Sequence, residues 1–275
     1  MPVFLCTACG SEFPPAAQTP AHCPICEDAR QYVPAAGQGW TTQERLAAGH
    51  ANSFRQHAPG FFAIRTVPAF AIDQRAFLVP HPEGGFLLWD CLALLDAATI
   101  ALIRALGGLR GIAISHPHYY TSCVSWSRAF DDAPVYLHAA DREWVMRPDP
   151  CQVFWEGETR MIADGLTLIR AGGHFPGGTV LHWAGGAAGQ GALLSGDIAQ
   201  VVADRRSVSF MRSYPNLIPL AAPMVRRIAA RLEPFAFAAV YGAFAGREIL
   251  DDGKGAVMRS VARYLDALAG DDSDR

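Results

Sequence analysis

Two sets of side chains in this 275-residue sequence have the types and the spacing of metal ligands. The first set is two Cys-x-x-Cys pairs, Cys6 with Cys9 and Cys23 with Cys26. Each pair can form a tight turn around a metal, and two facing turns make a tetrahedral four-thiolate site. Because the residues between the pairs are too few and too polar to form a core, a bound metal would supply most of the folding free energy of this segment.

The second set consists of three histidines and one carboxylate near the ends of apolar segments. The apolar run 112–114 predicts a buried strand, and His116 and His118 follow it. Residues i and i+2 of an extended segment point to the same side, so both imidazoles can face one point. His174 lies in a glycine-rich loop after another apolar run, and Asp197 ends a third. Since sites in α/β folds lie on such loops, these four side chains predict a transition-metal site.

Apolar periodicity and turn residues predict the elements that hold these side chains. The predicted strands are 61–72, 75–80, 86–90, 112–114, 134–138, 179–183 and 235–242. The predicted helices are 41–50, 96–107, 122–130, 221–232 and 254–269. Thr41 with Glu44 is a capping-box pattern, and Asp96 is a predicted N-cap. Residues 151–163 are predicted to form a hairpin or one wall of the site cleft.

Three motifs resemble those of the metallo-β-lactamase superfamily. They are HPHYYT at 116–121, GGHFPGG at 172–178 and LLSGDI at 193–198. Their order and spacing match the superfamily from about residue 60 to 250, and Asp90 matches its acidic residue after an early strand. The resemblance implies an α/β fold, the four-layer αββα sandwich, with a metal site along its open edge.

The resemblance also implies which residues bind metal. His116, His118 and His174 match the ligands of the first metal, and Asp197 matches the residue that bridges two metals. The positions of the ligands unique to the second metal hold other residues, namely Tyr120, Thr121 and Ala243. The sequence therefore predicts a single Zn²⁺ or Fe²⁺ ion in the cleft.

The cysteine segment resembles a zinc ribbon, which implies Zn²⁺ at Cys6, Cys9, Cys23 and Cys26. Iron remains an alternative, because Cys-x-x-Cys-Gly followed by Phe13 and then Cys-Pro-x-Cys also resembles a rubredoxin-type iron knuckle. We therefore predict a knuckle at 1–35, a metallo-β-lactamase-fold domain at 36–270 and a frayed tail at 271–275.

Composition restricts the class of partner. The chain is 51% hydrophobic and 18% charged, with a net charge of −3 and no basic run, so nucleic acid is not an expected partner. No apolar stretch is long enough to span a bilayer, and the start lacks the features of a signal peptide, so we expect no membrane association and a cytoplasmic location. Arg205, Arg206 and Arg212 would suit a small anionic substrate. The oligomeric state stays open, with a homodimer as one alternative.

A metal-dependent hydrolase of an ester, lactone, amide or phosphoester is the predicted function. Asp197 would bind the metal or accept a proton, and Tyr119 and Tyr120 are candidate hydrogen-bond donors to a developing oxyanion. One alternative is a mononuclear iron oxygenase or redox enzyme, in which the cysteine knuckle transfers electrons. Persulfide dioxygenases of the same superfamily use a His/His/Asp iron site that His116, His174 and Asp197 would match. Another alternative is a binding protein whose cleft has lost catalysis.

Overall fold

The computed structural model describes residues 1–270 and consists of two compact units, one formed by residues 1–155 and one that begins at Glu156. The predicted tail at 271–275 lies outside the described residues. No helix in residues 1–270 is long and apolar enough to cross a membrane. The predicted domain boundary at residue 35 and the cytoplasmic location stay predictions.

The first unit is built on a seven-stranded mixed sheet. The strands of this unit, including two outside the sheet, are β1 (Leu5–Cys6), β2 (Trp40–Thr41), β3 (Ala51–Ala58), β4 (Phe61–Val67), β5 (Ala76–Pro80), β6 (Phe86–Trp89), β7 (Leu109–Ala113), β8 (Val135–His138) and β9 (Gln152–Trp155). Strands β3 to β9 form the sheet in chain order, while β1 and β2 pair separately. Pairing is antiparallel from β3 to β6 and parallel from β6 to β9. The parallel strands bring the residues that follow β6 and β7 to the same edge.

Short helices connect the strands of this unit. They are α1 (Pro24–Glu27), α2 (Gln43–Ala47), α3 (Ala97–Ala105) and α4 (Cys123–Ala129), with 3₁₀ turns at Pro117–Tyr119 and Ala139–Trp144. Every residue of β6 is buried, as is typical of a parallel strand covered on both faces.

The second unit contains a six-stranded sheet in the order β10-β11-β12-β13-β18-β19. The strands of this unit, including four outside the sheet, are β10 (Thr159–Ala163), β11 (Leu166–Arg170), β12 (Thr179–Trp183), β13 (Ala192–Gly196), β14 (Gln200–Val201), β15 (Val208–Ser209), β16 (Met211–Ser213), β17 (Ile218–Pro219), β18 (Ala239–Gly242) and β19 (Glu248–Ile249). Two small antiparallel pairs, β14 with β15 and β16 with β17, follow β13.

The helices of the second unit are α5 (Gly186–Gly189), α6 (Ala222–Leu232) and α7 (Gly253–Ala269). Val225, Ile228 and Leu232 recur at helical spacing on α6 and are fully buried. They pack in one apolar cluster with Leu193 of β13 and Val240 of β18. This core holds β13, the strand that carries the site residue Asp197 at its end.

Two predictions about local structure were wrong. The cap of α2 is Thr42 and not Thr41, because the backbone of Thr41 pairs with Leu5 in a strand. Residues 151–163 do not form a hairpin, because Gln152–Trp155 joins the seven-stranded sheet and Thr159–Ala163 joins the six-stranded one. Strand β3 was not predicted. Its residues are exposed or half-buried and include Arg55, so the segment has no clear apolar face.

Asp96 caps α3 as predicted, with its Oδ1 accepting a hydrogen bond from Thr99 N at 2.7 Å. Asp96→Ala leaves that N–H without its side-chain acceptor. We expect the free energy of unfolding to fall by about 1 kcal/mol. Asp96→Asn keeps an acceptor oxygen and is the matched control. Urea denaturation of both variants checks this, and equal losses would contradict the capping role.

Candidate metal centres

The structure groups the two sets of potential ligands. In the described part of the chain, the groups are Cys6, Cys9, Cys23 and Cys26, and His116, His118, His174 and Asp197. Within each group, one ligand atom per residue lies within 4.8 Å of the others, and every member is buried. A nitrogen or oxygen ligand about 2.1 Å from a metal lies about 3.4 Å from its neighbours in a tetrahedral shell. Both groups therefore have the donor types and the closeness that one metal ion requires.

The four cysteine sulfurs are spaced for a metal and not for disulfides. Sγ of Cys6 lies 3.6 Å from that of Cys26, and Sγ of Cys9 lies 3.6 Å from that of Cys23. A disulfide needs about 2.0 Å, whereas four sulfurs at about 2.3 Å from a tetrahedral ion lie about 3.8 Å apart. The chemistry and the spacing of this donor set fit zinc, and they fit iron equally.

The four thiols strongly shift one another's ionisation in the absence of a metal. Gln38 Nε2 donates to Cys6 Sγ at 2.9 Å, and Ser11 Oγ lies 3.3 Å from Cys9 Sγ. Hydrogen bonds from Cys23, Cys26 and Cys9 hold the pKa of the Cys6 thiol far below its usual range. The same close packing raises the pKa of Cys9, with hydrogen bonding to Cys23 as the largest cause. A bound cation is the physical means of keeping all four groups ionised together.

His116 is fixed by the residues that follow β6 and β7. Asp90, which has a φ of +60°, follows β6, and its Oδ1 accepts from Ser115 N at 2.8 Å. Ser115 Oγ lies 2.9 Å from His116 Nδ1. With Nδ1 engaged by the hydroxyl, the nitrogen presented to a metal would be Nε2. Asp90 thus orients the imidazole through Ser115.

The His-x-His segment is only partly extended. His116 has extended backbone angles, as expected for a residue before proline, but Pro117–Tyr119 forms a 3₁₀ turn. Pro117 begins this turn because its ring fixes φ near the helical value. The rings of His116 and His118 still lie 5.0 Å apart, centroid to centroid. The predicted convergence of the two imidazoles is present, but a turn produces it.

His174 and Asp197 are both held by the segment that contains β16. His174 Nδ1 lies 3.1 Å from the carbonyl oxygen of Met211, which would place the proton on Nδ1 and leave Nε2 as the ligand nitrogen. The Tyr214 ring packs 5.8 Å from that of His174, and its hydroxyl lies 3.1 Å from the carbonyl oxygen of Asp197. Gln200 Nε2 donates to Asp197 Oδ1 at 3.4 Å. The sequence carries no short-range pattern that would indicate this positioning role of Tyr214.

The two candidate oxyanion donors occupy different surroundings. The Tyr119 ring is fully buried and packs 4.3 Å from the ring of His116. Tyr120 lines a small cavity together with Glu12 and Arg147. Burial, with a contribution from Asp141, raises the pKa of the Tyr120 phenol well above its usual range. The roles of both tyrosines stay predictions.

The positions expected for second-metal ligands hold no imidazole and no carboxylate. Thr121 has a φ of +36°, and its carbonyl oxygen accepts from Glu12 N at 3.0 Å. Ala243 is buried just after β18. Ala243 has no donor atom, and the phenol of Tyr120 would bind a metal well only as a phenolate, which its raised pKa opposes.

Arg205, Arg206 and Arg212, which would suit an anionic substrate, are exposed. Arg205 and Arg206 line a surface depression of the second unit that also presents Asp204, Glu248 and Asp251. This depression therefore carries both signs of charge. Selectivity for a small anionic substrate therefore stays a prediction, as does the expectation that nucleic acid and membranes are not partners.

The remaining cysteines are separate from the cluster. Cys91 and Cys123 are buried, and burial is the main cause that raises the pKa of each thiol. Burial also raises the pKa of Cys151 to about 11. Thiols with raised pKa values are poor nucleophiles at neutral pH, which agrees with a structural role.

We expect Cys6→Ser/Cys9→Ser to lose one equivalent of bound metal, because two of the four thiolates are removed. Elemental analysis of protein purified without added metal measures this. Cys151→Ser is the control, since Cys151 lies outside the cluster, and it should keep the wild-type metal content. An unchanged metal content in the double variant would rule out the cysteine site.

Tyr214→Phe removes the hydroxyl that contacts the carbonyl of Asp197. We expect the affinity of the His/Asp group for Zn²⁺ to fall about tenfold, as happens when groups that orient metal ligands are lost. Titration against a competing chelator gives the dissociation constant. Tyr264→Phe is the matched control, because its hydroxyl donates to Leu220 O at 3.1 Å in the same unit. Equal affinities in the two variants would refute the positioning role.

Comparison with protein-family models finds no match. Among solved structures, the chain is similar to the DIM-1 metallo-β-lactamase, with a TM-score of 0.59, 13% identity, and coverage of 78% of this chain and 98% of that one. It is also similar to FIM-1 from Pseudomonas aeruginosa in the mono-zinc form, with a TM-score of 0.56, 13% identity, and coverage of 79% and 96%. The predicted α/β metallo-β-lactamase fold is therefore confirmed.

Among curated proteins, the chain is 47% identical over 270 residues to the uncharacterized protein YmaE of Bacillus subtilis (strain 168). The match covers 98% of this chain and 97% of YmaE. At this identity and coverage the two proteins are homologous along their length. The chain therefore belongs to the YmaE family, and it has the metallo-β-lactamase fold.

Proposed function

We propose that this protein is a hydrolase that uses one metal ion held by His116, His118, His174 and Asp197. The observation that carries the proposal is the grouping of these four buried side chains in a metallo-β-lactamase fold. Three imidazoles and one carboxylate suit zinc at a catalytic site. The replacement of all three second-metal positions by Tyr120, Thr121 and Ala243 supports a single ion.

A divalent ion in this group would act as a Lewis acid and lower the pKa of a coordinated water to about 7, which supplies a nucleophile at neutral pH. The protein residues have distinct tasks around it. Ser115 and the carbonyl of Met211 hold the tautomers and orientations of His116 and His174. Asp197, whose Oδ1 accepts a hydrogen bond from Gln200, would bind the metal or accept the proton that the attacking water releases.

The phenols of Tyr119 and Tyr120 would serve as donors to the oxygen that gains negative charge in the reaction. Loss of one such donor typically costs about 3–4 kcal/mol of transition-state stabilisation. Tyr119 is the better placed to act near the metal, because its ring packs against His116. The substrate classes that this chemistry supports are esters, lactones, amides and phosphoesters.

The iron and binding-protein alternatives differ from the hydrolase in measurable ways. An iron enzyme would contain iron at the His/Asp group and would consume oxygen. A binding protein would show no turnover, and its His/Asp group would hold no metal. The near-complete burial of all four ligands together favours a retained metal site over a degenerate one.

We expect the zinc-loaded protein to hydrolyse a chromogenic ester or phosphodiester, and His116→Ala to reduce kcat/KM by at least about 10³-fold, because the Lewis acid and its nucleophile are lost with the metal. Steady-state kinetics and elemental analysis on the same samples measure both effects. His22→Gln is the control, since His22 is exposed and pairs only with Glu27 in the contacts described. Metal at the His/Asp group without turnover of any substrate in a broad panel would count against the hydrolase.

A further inference from the structure

A buried carboxylate of the cysteine segment contacts α4, the helix that follows the loop of His116 and His118. Glu12 lies three residues after Cys9, and its side chain is 2% exposed. Its Oε1 accepts from Val124 N at 2.9 Å and Ser125 N at 3.2 Å. Its Oε2 accepts from Ser125 Oγ and from Arg147 Nη1, both at 2.7 Å. A residue of the cysteine segment thus supplies the cap that begins α4.

Helix α4 depends on this carboxylate. Its own N-cap residue, Ser122, makes no side-chain capping hydrogen bond, and its hydroxyl instead donates to carbonyl oxygens of Leu92 and Ala93. The first N–H groups of a helix need acceptors, and Glu12 satisfies two of them. Burial raises the pKa of the Glu12 carboxyl, and the Arg147 guanidinium opposes that shift.

The cysteine segment also contacts the residues just before α4. Glu12 N donates to Thr121 O at 3.0 Å, three residues after His118. A Cβ on Gly10 would lie 3.0 Å from Ala93 Cβ and 3.4 Å from Thr121 Cγ2, so the two segments are in close contact. The turn at Pro117–Tyr119 runs directly into this region, since Cys123 N donates to Tyr120 O at 3.0 Å.

The four cysteines determine where Glu12 lies. Gly10 N donates to Cys6 O at 2.8 Å, and Cys6 N donates to Ser11 O at 2.9 Å, so the Cys6–Glu12 segment is one tight turn around the cluster. Ile25 lies in the same cluster, and apolar side chains pack against the cysteines from several segments, namely Ala8, Phe13, Trp40, Ile72, Trp144 and Met146. A bound metal would join the turn of Cys6 and Cys9 to Cys23 and Cys26 and so restrict further where Glu12 can lie.

We propose that metal binding at the four cysteines and metal binding at the His/Asp group are coupled favourably, and that Glu12 transmits this coupling to His118 through Thr121 and α4. This inference rests on the proposed function, because it requires a metal at His116, His118, His174 and Asp197. Coupling between two binding sites is reciprocal, so each metal strengthens the binding of the other by the same factor. Loss of the cysteine-bound metal would therefore weaken the catalytic site.

The test uses Co²⁺ alone as the probe, titrated into the metal-free full-length protein. Cobalt at the cysteines gives an intense thiolate charge-transfer band, and cobalt at the His/Asp group gives weaker ligand-field bands, so the two sites are read separately. We expect Glu12→Gln to keep the charge-transfer band and to raise the dissociation constant at the His/Asp group about tenfold. Cys23→Ser/Cys26→Ser, which removes the first metal, should raise it at least as much.

Glu27→Gln is the matched control, because Glu27 is a carboxylate of the same cysteine segment that pairs with the exposed His22. It should bind cobalt at both sites as the wild type does. Reciprocity adds a second readout: His116→Ala should weaken cobalt binding at the cysteines by a comparable factor. A purely structural role of Glu12 would lower thermal stability without this reciprocal effect.

Ser125→Ala covers the case in which Glu12→Gln does not fold, because it removes one of four hydrogen bonds and keeps the pair with Arg147. We expect it to raise the dissociation constant at the His/Asp group about threefold. Wild-type cobalt affinity in folded Glu12→Gln or Ser125→Ala would overturn the coupling and leave the proposed function intact. Absence of a His/Asp cobalt signal in the wild type would overturn both.

Discussion

Nearly complete burial of polar ligand side chains is the physical constraint on which this structure depends. A buried imidazole, thiol or carboxylate loses the hydrogen bonds of water, and the protein must replace them. Ser115, the carbonyl of Met211 and the amide of Gln200 do this for three members of the His/Asp group. The same contacts that offset burial also orient the ligands, so stability and metal binding rely on one set of interactions.

The architecture supplies these contacts through strand ends. Strands β6 and β7 are parallel, so Asp90 and Ser115 emerge at the same edge and bond to each other. In the second unit, Asp197 follows β13, and the segment containing β16 returns to contact it through Tyr214. Loops at strand ends can change residues without disturbing the cores, which is why such edges carry chemistry in many α/β proteins.

The identity with YmaE shows the family of this chain, whereas the similarity to metallo-β-lactamases shows its fold. The structural similarity establishes a fold, and folds host many activities. The activity must be inferred from this chain's own ligand set, in which Tyr120, Thr121 and Ala243 occupy the positions of missing ligands. The four-cysteine cluster is a further feature of this chain, and Glu12 connects it to Thr121 and to α4, which follow the loop of His116 and His118.

The resemblance of three motifs to the metallo-β-lactamase superfamily indicated the fold class, and sequence patterns alone indicated most core elements and the two groups of potential ligands. Short-range patterns suffice for these, because Cys-x-x-Cys, His-x-His and apolar runs that end in Gly or Asp act over a few residues. Three features emerge only from the folded chain: a 3₁₀ turn brings His118 beside His116, Tyr214 supports His174 and Asp197, and Glu12 caps α4 across 112 residues of sequence. The physical reason is that hydrogen bonds between distant segments depend on how the sheets and loops pack. That packing leaves no periodic signal in the sequence.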